Sequence, residues 1–104
     1  MEFNMPLFKN TASQKCVVFA YDKTAETEKT GDAANITAYI SKDGGAAAQS
    51  TDNNPVELSA TNMPGLYVFD LDQPETNCDL FSLSAASTTT SIYLEPVIIY
   101  TETA

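Results

Sequence analysis

Apolar residues along this chain recur at every second position, as they do on the two faces of an extended strand. The clearest case is Gly65 to Leu71, GLYVFDL, where Tyr67, Phe69 and Leu71 fall on one side and Leu66, Val68 and Asp70 on the other. Ile36, Ala38 and Ile40 alternate in the same way with Thr37, Tyr39 and Ser41, and Phe81, Leu83 and Ala85 alternate with Ser82 and Ser84. Val56 and Leu58 make a shorter example. Cys16 to Tyr21, CVVFAY, is a continuous apolar run instead, which suits a strand buried on both faces or one that crosses between sheets. The pattern predicts strands near 16–21, 35–41, 56–59, 65–71, 79–86 and 91–100, with Tyr67 and Phe69 pointing into the core.

The segments between these strands carry turn chemistry. Lys42-Asp43-Gly44-Gly45 predicts a hairpin turn, because glycine accepts the positive φ that tight turns demand, and Ala46 to Gln49 predicts its weakly specified return strand. Asn62-Met63-Pro64-Gly65 reads as a second turn, and Asp22 to Asp32, DKTAETEKTGD, as a solvated loop with too little apolar face for a helix. Asp72, Pro74 and Glu75 stand where the cap, the first turn and the back-bonding acid of a capping box stand, which predicts one or two helical turns. Pro96 interrupts Ser91 to Tyr100, so that segment is either two strands or an edge strand. Many short strands and no long helix predict an all-β fold, an antiparallel β-sandwich or a small barrel, and the uneven spacing of the strands favours the sandwich. Residues 1–15 are expected to form an N-terminal arm or edge strand, and 16–104 the sandwich domain.

The totals narrow the functional classes. A chain of 104 residues has room for one ordinary core. Five Lys and Arg stand against fourteen Asp and Glu, a net charge of -9, which opposes binding to nucleic-acid phosphates and to anionic membranes. No apolar stretch is long enough to predict a membrane span, and the N-terminus lacks the basic start and apolar run of a secretory signal. The chain holds no histidine, which removes the commonest general base, the usual partner of Ser and Cys nucleophiles and the commonest zinc ligand. Two cysteines, Cys16 and Cys78, are expected to be free and buried.

Carboxylates are the only abundant reactive groups, and each has a structural use. Asp43 and Asp52 sit in turns with no twelve-residue calcium loop around them, and Asp72 is engaged as a cap. No catalytic residue, metal site or cofactor is predicted, and an enzyme is not expected. The candidate contact residues are Phe3, Met5, Leu7 and Phe8 in the apolar N-terminus, which either completes the domain's own sheet or anchors a partner. To these are added Tyr39, an aromatic ring on the polar side of its strand, and Lys42 and Asp43 in the hairpin.

The sequences TGDAANITAYISKDGG (Thr30 to Gly45), PGLYVFDLDQPETNCDLFSLSA (Pro64 to Ala85) and IIY (Ile98 to Tyr100) resemble small structural proteins of tailed bacteriophages and prophages. They are also similar to N-terminal modules of phage baseplate and receptor-binding proteins. The match rests on Asp43, Gly44, Gly45, Gly65, Tyr67, Asp70, Leu71, Glu75, Asn77 and Asp79, which fix strands, turns and a cap. The resemblance implies an immunoglobulin-like or related antiparallel β-sandwich made in the bacterial host cytoplasm and built into the virion, at the neck, tail, fibre base or capsid surface. Its expected partners are other virion proteins and further copies of itself. A carbohydrate or host cell-surface binding module is the alternative, with Tyr39 and Tyr93 as the aromatic platform.

Overall fold

The alternating segments pair into two stacked sheets in the computed structural model, which describes residues 7–103. In chain order the strands are β1 (Leu7–Phe8), β2 (Gln14–Asp22), β3 (Thr27–Glu28), β4 (Ile36–Lys42), β5 (Ala48–Gln49), β6 (Val56–Ser59), β7 (Met63–Leu71), β8 (Leu80–Ser87), β9 (Ile92–Leu94) and β10 (Val97–Glu102). The first sheet has the order β1-β10-β8-β4-β5 and the second β3-β2-β7-β6, with β9 also paired to β2. The result is an all-β sandwich. It is not wholly antiparallel as expected: β1 runs parallel to β10, with Leu7 opposite Thr101. A parallel pair needs a long crossover, and here nearly the whole chain supplies it.

Period two decides what is buried. Cys16, Val18 and Ala20 of β2 and Tyr67, Phe69 and Leu71 of β7 face inward from the second sheet. Ile36, Ala38 and Ile40 of β4 and Phe81, Leu83 and Ala85 of β8 face them from the first. Leu7, Cys78 and Leu94 complete the core, and both cysteines are free thiols.

The structure corrects several local expectations. The segment Asp22 to Asp32 is not all loop: the Asp22 carboxylate accepts the amides of Thr24 and Ala25, each at 3.0 Å, and the resulting turn lays β3 back on Tyr21 and Asp22. The turn expected at Asn62 to Gly65 lies earlier, at 60–62, and shares only Asn62 with that stretch, since β7 already begins at Met63. Gly65 lies inside that strand at φ +85°, where a Cβ would come within 2.8 Å of the Glu28 side chain and 2.9 Å of the Phe19 ring. The return strand after the hairpin is only β5, pairing Ala48 with Ile40 and Gln49 with Tyr39.

The helix expected after Asp72 is a single 3-10 turn, Pro74–Thr76. Its capping box is nevertheless complete, with Glu75 N–H donating to Asp72 Oδ1 and Asp72 N–H to Glu75 Oε1, both at 3.0 Å. Cys78 and the start of β8 follow too closely for a second turn to form. The tail divides at Pro96 into strands of different sheets. Glu95 N–H makes the last bond to the second sheet, at Phe19 O, 3.2 Å, and Val97 opens the pairing of β10 with β8. Proline, having no N–H, stands where the ladder must be broken anyway.

Candidate interaction surface

The outer face of the second sheet is apolar over three strands. Register places Val17, Val68 and Val56 side by side across β2, β7 and β6, with Phe19 beside Leu66 in the next row. Tyr21 pairs with Tyr93 of β9 beyond them, and the Phe19 and Tyr21 ring centroids are 6.4 Å apart. Leu58, two residues on from Val56, extends the strip along β6. Val56 is 64 % exposed, Val17 44 %, Leu58 42 % and Tyr93 49 %. Scattered surface apolar residues are ordinary, but a contiguous strip marks a contact site. Charge enters at both ends, where Lys15 Nζ pairs with Asp70 across β2 and β7 and where Glu28 of β3 stands opposite Tyr21.

This strip is what the continuous run CVVFAY encodes. One face of β2 is buried in the domain's own core and the other is apolar and open, so the expectation of a strand buried on both faces is corrected for the single chain. Leu66 and Val68, alternating with Tyr67 and Phe69, carried the same signal. Neither segment was among the expected contact residues. In the single chain the second sheet therefore has one apolar face covered by the core and one open.

The expected contact residues lie elsewhere, and not together. Tyr39 is half-exposed on the outer face of the first sheet, between Thr37 and Ser41 along β4. Ile98 and Tyr100 project from the same face on β10, 68 % and 74 % exposed, with Ser82 and Ser84 of β8 between the two strands. This face is rich in hydroxyls where the other is apolar. Leu7 is buried in the sandwich and Phe8 lies at its edge, while Phe3 and Met5 fall outside the described residues.

Lys42 and Asp43 are exposed and have structural partners. Lys42 Nζ donates to Pro74 O at 3.0 Å. Asp43, at φ 56°, accepts the amides of Asp79 and Leu80 on one oxygen, both at 2.9 Å, and so ties the hairpin to the start of β8. Those two bonds, Leu80 first, hold its carboxyl below the usual value.

Several other carboxylates are also in structural use. Asp52 Oδ2 accepts the Asp70 amide at 2.8 Å, and Thr51 donates its hydroxyl to Asp72 at 2.7 Å and its amide to Glu75 at 2.8 Å. The buried Asp32 accepts the hydroxyls of Ser87 at 2.5 Å and Thr89 at 2.6 Å and the Asn35 amide at 3.0 Å. An apolar cavity of about 520 Å³ lies between the sheets beside β1, lined by Leu7, Cys16, Phe81, Val97 and Ile99 among others. Burial pushes the Cys16 thiol on its wall up to about 11, so that sulfur is protonated at neutral pH and a poor nucleophile. Among the described residues no group of three or more His, Cys, Asp or Glu is placed to hold a metal ion.

No protein-family model, curated protein or solved structure matches the chain.

Proposed function

We propose that this chain is a non-enzymatic structural component of a tailed-phage virion, made in the bacterial host cytoplasm and acting through repeated protein–protein contacts. The neck, tail, fibre base and capsid surface are the stations the sequence resemblance suggests. The observation that carries the reading is the apolar outer face of β2, β7 and β6, a surface suited to covering by another protein and lacking the polar groups that orient a small ligand. The carboxylates of Asp32, Asp43, Asp52, Asp72 and Glu75 and the Cys16 thiol support it from the other side, because these are engaged in turns, caps or the core.

We further assign the sandwich to the immunoglobulin-like type. The order β2-β7-β6 in one sheet and β10-β8-β4-β5 in the other corresponds to strands B-E-D and G-F-C-C′ of a variable-type domain. The inter-sheet disulfide of antibody domains has no counterpart, since both cysteines are free. Binding of a glycan or host surface is the weaker reading: Tyr39 and Tyr93, its proposed platform, stand on the outer faces of opposite sheets.

Quantitative mass spectrometry of purified particles tests the proposal. The expected result is this chain at a fixed, multiple copy number that survives density-gradient purification; its absence from intact particles would reject the structural role.

A further inference from the structure

We propose that residues 3–6 of this chain continue β1 backwards along the edge of β10 and close the apolar cavity between the sheets with Phe3 and Met5. The inference is independent of the virion role, and the occupant it names is the chain's own N-terminal segment.

The edge of β10 is the first observation. Val97 to Tyr100 pair with β8 on one side. Among the described residues the other side is paired only at its C-terminal end, where Leu7 lies opposite Thr101 and Phe8 opposite Glu102. The Thr101 amide donates to Asp79 O at 2.9 Å, so the alternation of an antiparallel ladder commits the backbone groups of Val97 and Ile99 to β8 and turns those of Ile98 and Tyr100 the other way. Such an edge is a template for a further strand. β1 begins that strand in parallel, and residues 3–6 match residues 97–100 one for one.

Phase is the second. Lys9 N–H donates to Glu102 O at 2.7 Å, whereas the Phe8 backbone turns away from β10: its N–H donates to Gln14 Oε1 at 2.7 Å and its carbonyl accepts Gln14 Nε2 at 2.8 Å. Continued backwards, the same alternation would turn Met5 and Phe3 towards β10 and Pro6 away from it, where a residue without an N–H loses no ladder bond. The register would set Met5 opposite Ile99 and Phe3 opposite Val97, with Met5 O accepting the Tyr100 amide and Phe3 O the Ile98 amide.

The side chains agree with the backbone. Leu7 is buried and Phe8 is 36 % exposed, so period two would put Met5 and Phe3 on the inner side and Asn4 and Glu2 on the outer, apolar in and polar out. What lies on the inner side there is the cavity of about 520 Å³, with Leu7, Cys16, Phe81, Val97 and Ile99 on its wall. Val97 and Ile99, the residues Phe3 and Met5 would stand beside, are only partly buried against the core. Packed interiors leave few voids larger than a water molecule, so this one has room for two large apolar side chains. An arm from a second copy would have to displace or abut β1, whereas the chain's own arm needs only to continue it.

Amide hydrogen exchange of the full chain, followed residue by residue by NMR, tests the proposal. The Ile98 and Tyr100 amides should exchange roughly a hundredfold or more slower than in an unstructured chain. In the double variant Phe3→Asp/Met5→Asp those two amides should lose that protection, while Ile99, bonded to β8, keeps its own. Should the double variant misfold, Met5→Ser alone serves instead, with Tyr100 exchanging about tenfold faster than in the wild type.

Fast exchange of Ile98 and Tyr100 in the wild-type chain overturns the proposal, as does slow exchange that the substitutions leave unchanged. Protection that fades on dilution, with contacts between isotope-labelled and unlabelled copies, also overturns it by placing a second copy's arm on the edge. Each outcome leaves the virion role to be decided by the composition of purified particles.

Discussion

The amide of Asp32 donates to the Tyr67 hydroxyl at 3.2 Å, and that hydroxyl donates in turn to the Lys29 carbonyl at 2.7 Å. One side chain of the central strand β7 thereby fastens the chain on both sides of Gly31, just before it enters β4. Asp32 then spends its carboxylate on Ser87, Thr89 and Asn35, joining the same corner to the end of β8. The pair links the two sheets through polar contacts at an otherwise apolar boundary.

Removing the Tyr67 hydroxyl isolates this effect. Tyr67→Phe keeps the ring volume and leaves Asp32 N–H and Lys29 O short of a partner, so the variant should lose about 1–3 kcal/mol of stability. Urea denaturation with an unchanged slope measures it, and a neutral result would show that water replaces the hydroxyl without cost.

The core and the cap are separable in the same assay. Phe69 is fully buried between the sheets, and Phe69→Ala should cost roughly 3–5 kcal/mol through lost transfer energy and the cavity left behind. Asp72→Ala removes one half of the capping box and should cost only about 1 kcal/mol. Comparable losses for the two would contradict the assignment of Phe69 to the inner face.

Much of this was legible in the sequence, because period two is a direct consequence of strand geometry. The inward sets Ile36/Ala38/Ile40, Tyr67/Phe69/Leu71 and Phe81/Leu83/Ala85 all lie in the core, and the Asp72–Glu75 box forms although its helix does not. What escaped the pattern was decided by contacts distant in sequence. Nothing local shows that β1 will pair in parallel with β10, or that Pro96 separates two sheets rather than lying on the exposed edge of one strand. The contact strip escaped for a different reason. An unbroken apolar run shows that both faces of a strand are apolar but not what lies over each, so the surface of Val17, Val68 and Val56 carries no local signal to set it apart from a buried core strand.

Acid should weaken the fold through identifiable carboxylates. Burial alone would raise the Asp32 carboxyl, but hydrogen bonds from Ser87, Thr89 and Asn35 outweigh it and hold the group below its ordinary 3.8. Asp72 is lowered chiefly by the Thr51 hydroxyl, and Asp43 by the Leu80 and Asp79 amides. A folded-state value below the unfolded one means that stability is fully present above the ordinary value and is lost as pH falls through the folded one. The denaturation midpoint should therefore be level from pH 7 to about 5 and drop below about 4. In Asp32→Asn the drop should be shallower, starting from a lower plateau; an identical acid limb would remove Asp32 from the explanation.

The thiols give the alkaline counterpart. Cys16 faces inward from β2 at 6 % exposure, and burial raises it from its ordinary 9.0 to about 11, while Cys78, also buried, is raised chiefly by the same cause. For an acid whose folded value is raised, the contribution to stability is whole below the unfolded value and disappears as pH climbs through the folded one. Stability should therefore decline between pH 9 and about 11, and Cys16→Ala should flatten part of that decline. Reactivity follows from the same geometry, since the thiolate is the attacking species and neither sulfur is accessible as one. At pH 7.5 the folded chain should resist iodoacetamide, and the chain unfolded in guanidinium without reductant should take up one label at each of Cys16 and Cys78. Labelling of the folded chain as fast as of the unfolded one would place Cys16 outside the core, and no labelling of the unfolded chain until a reductant is added would mean that the two sulfurs are bonded.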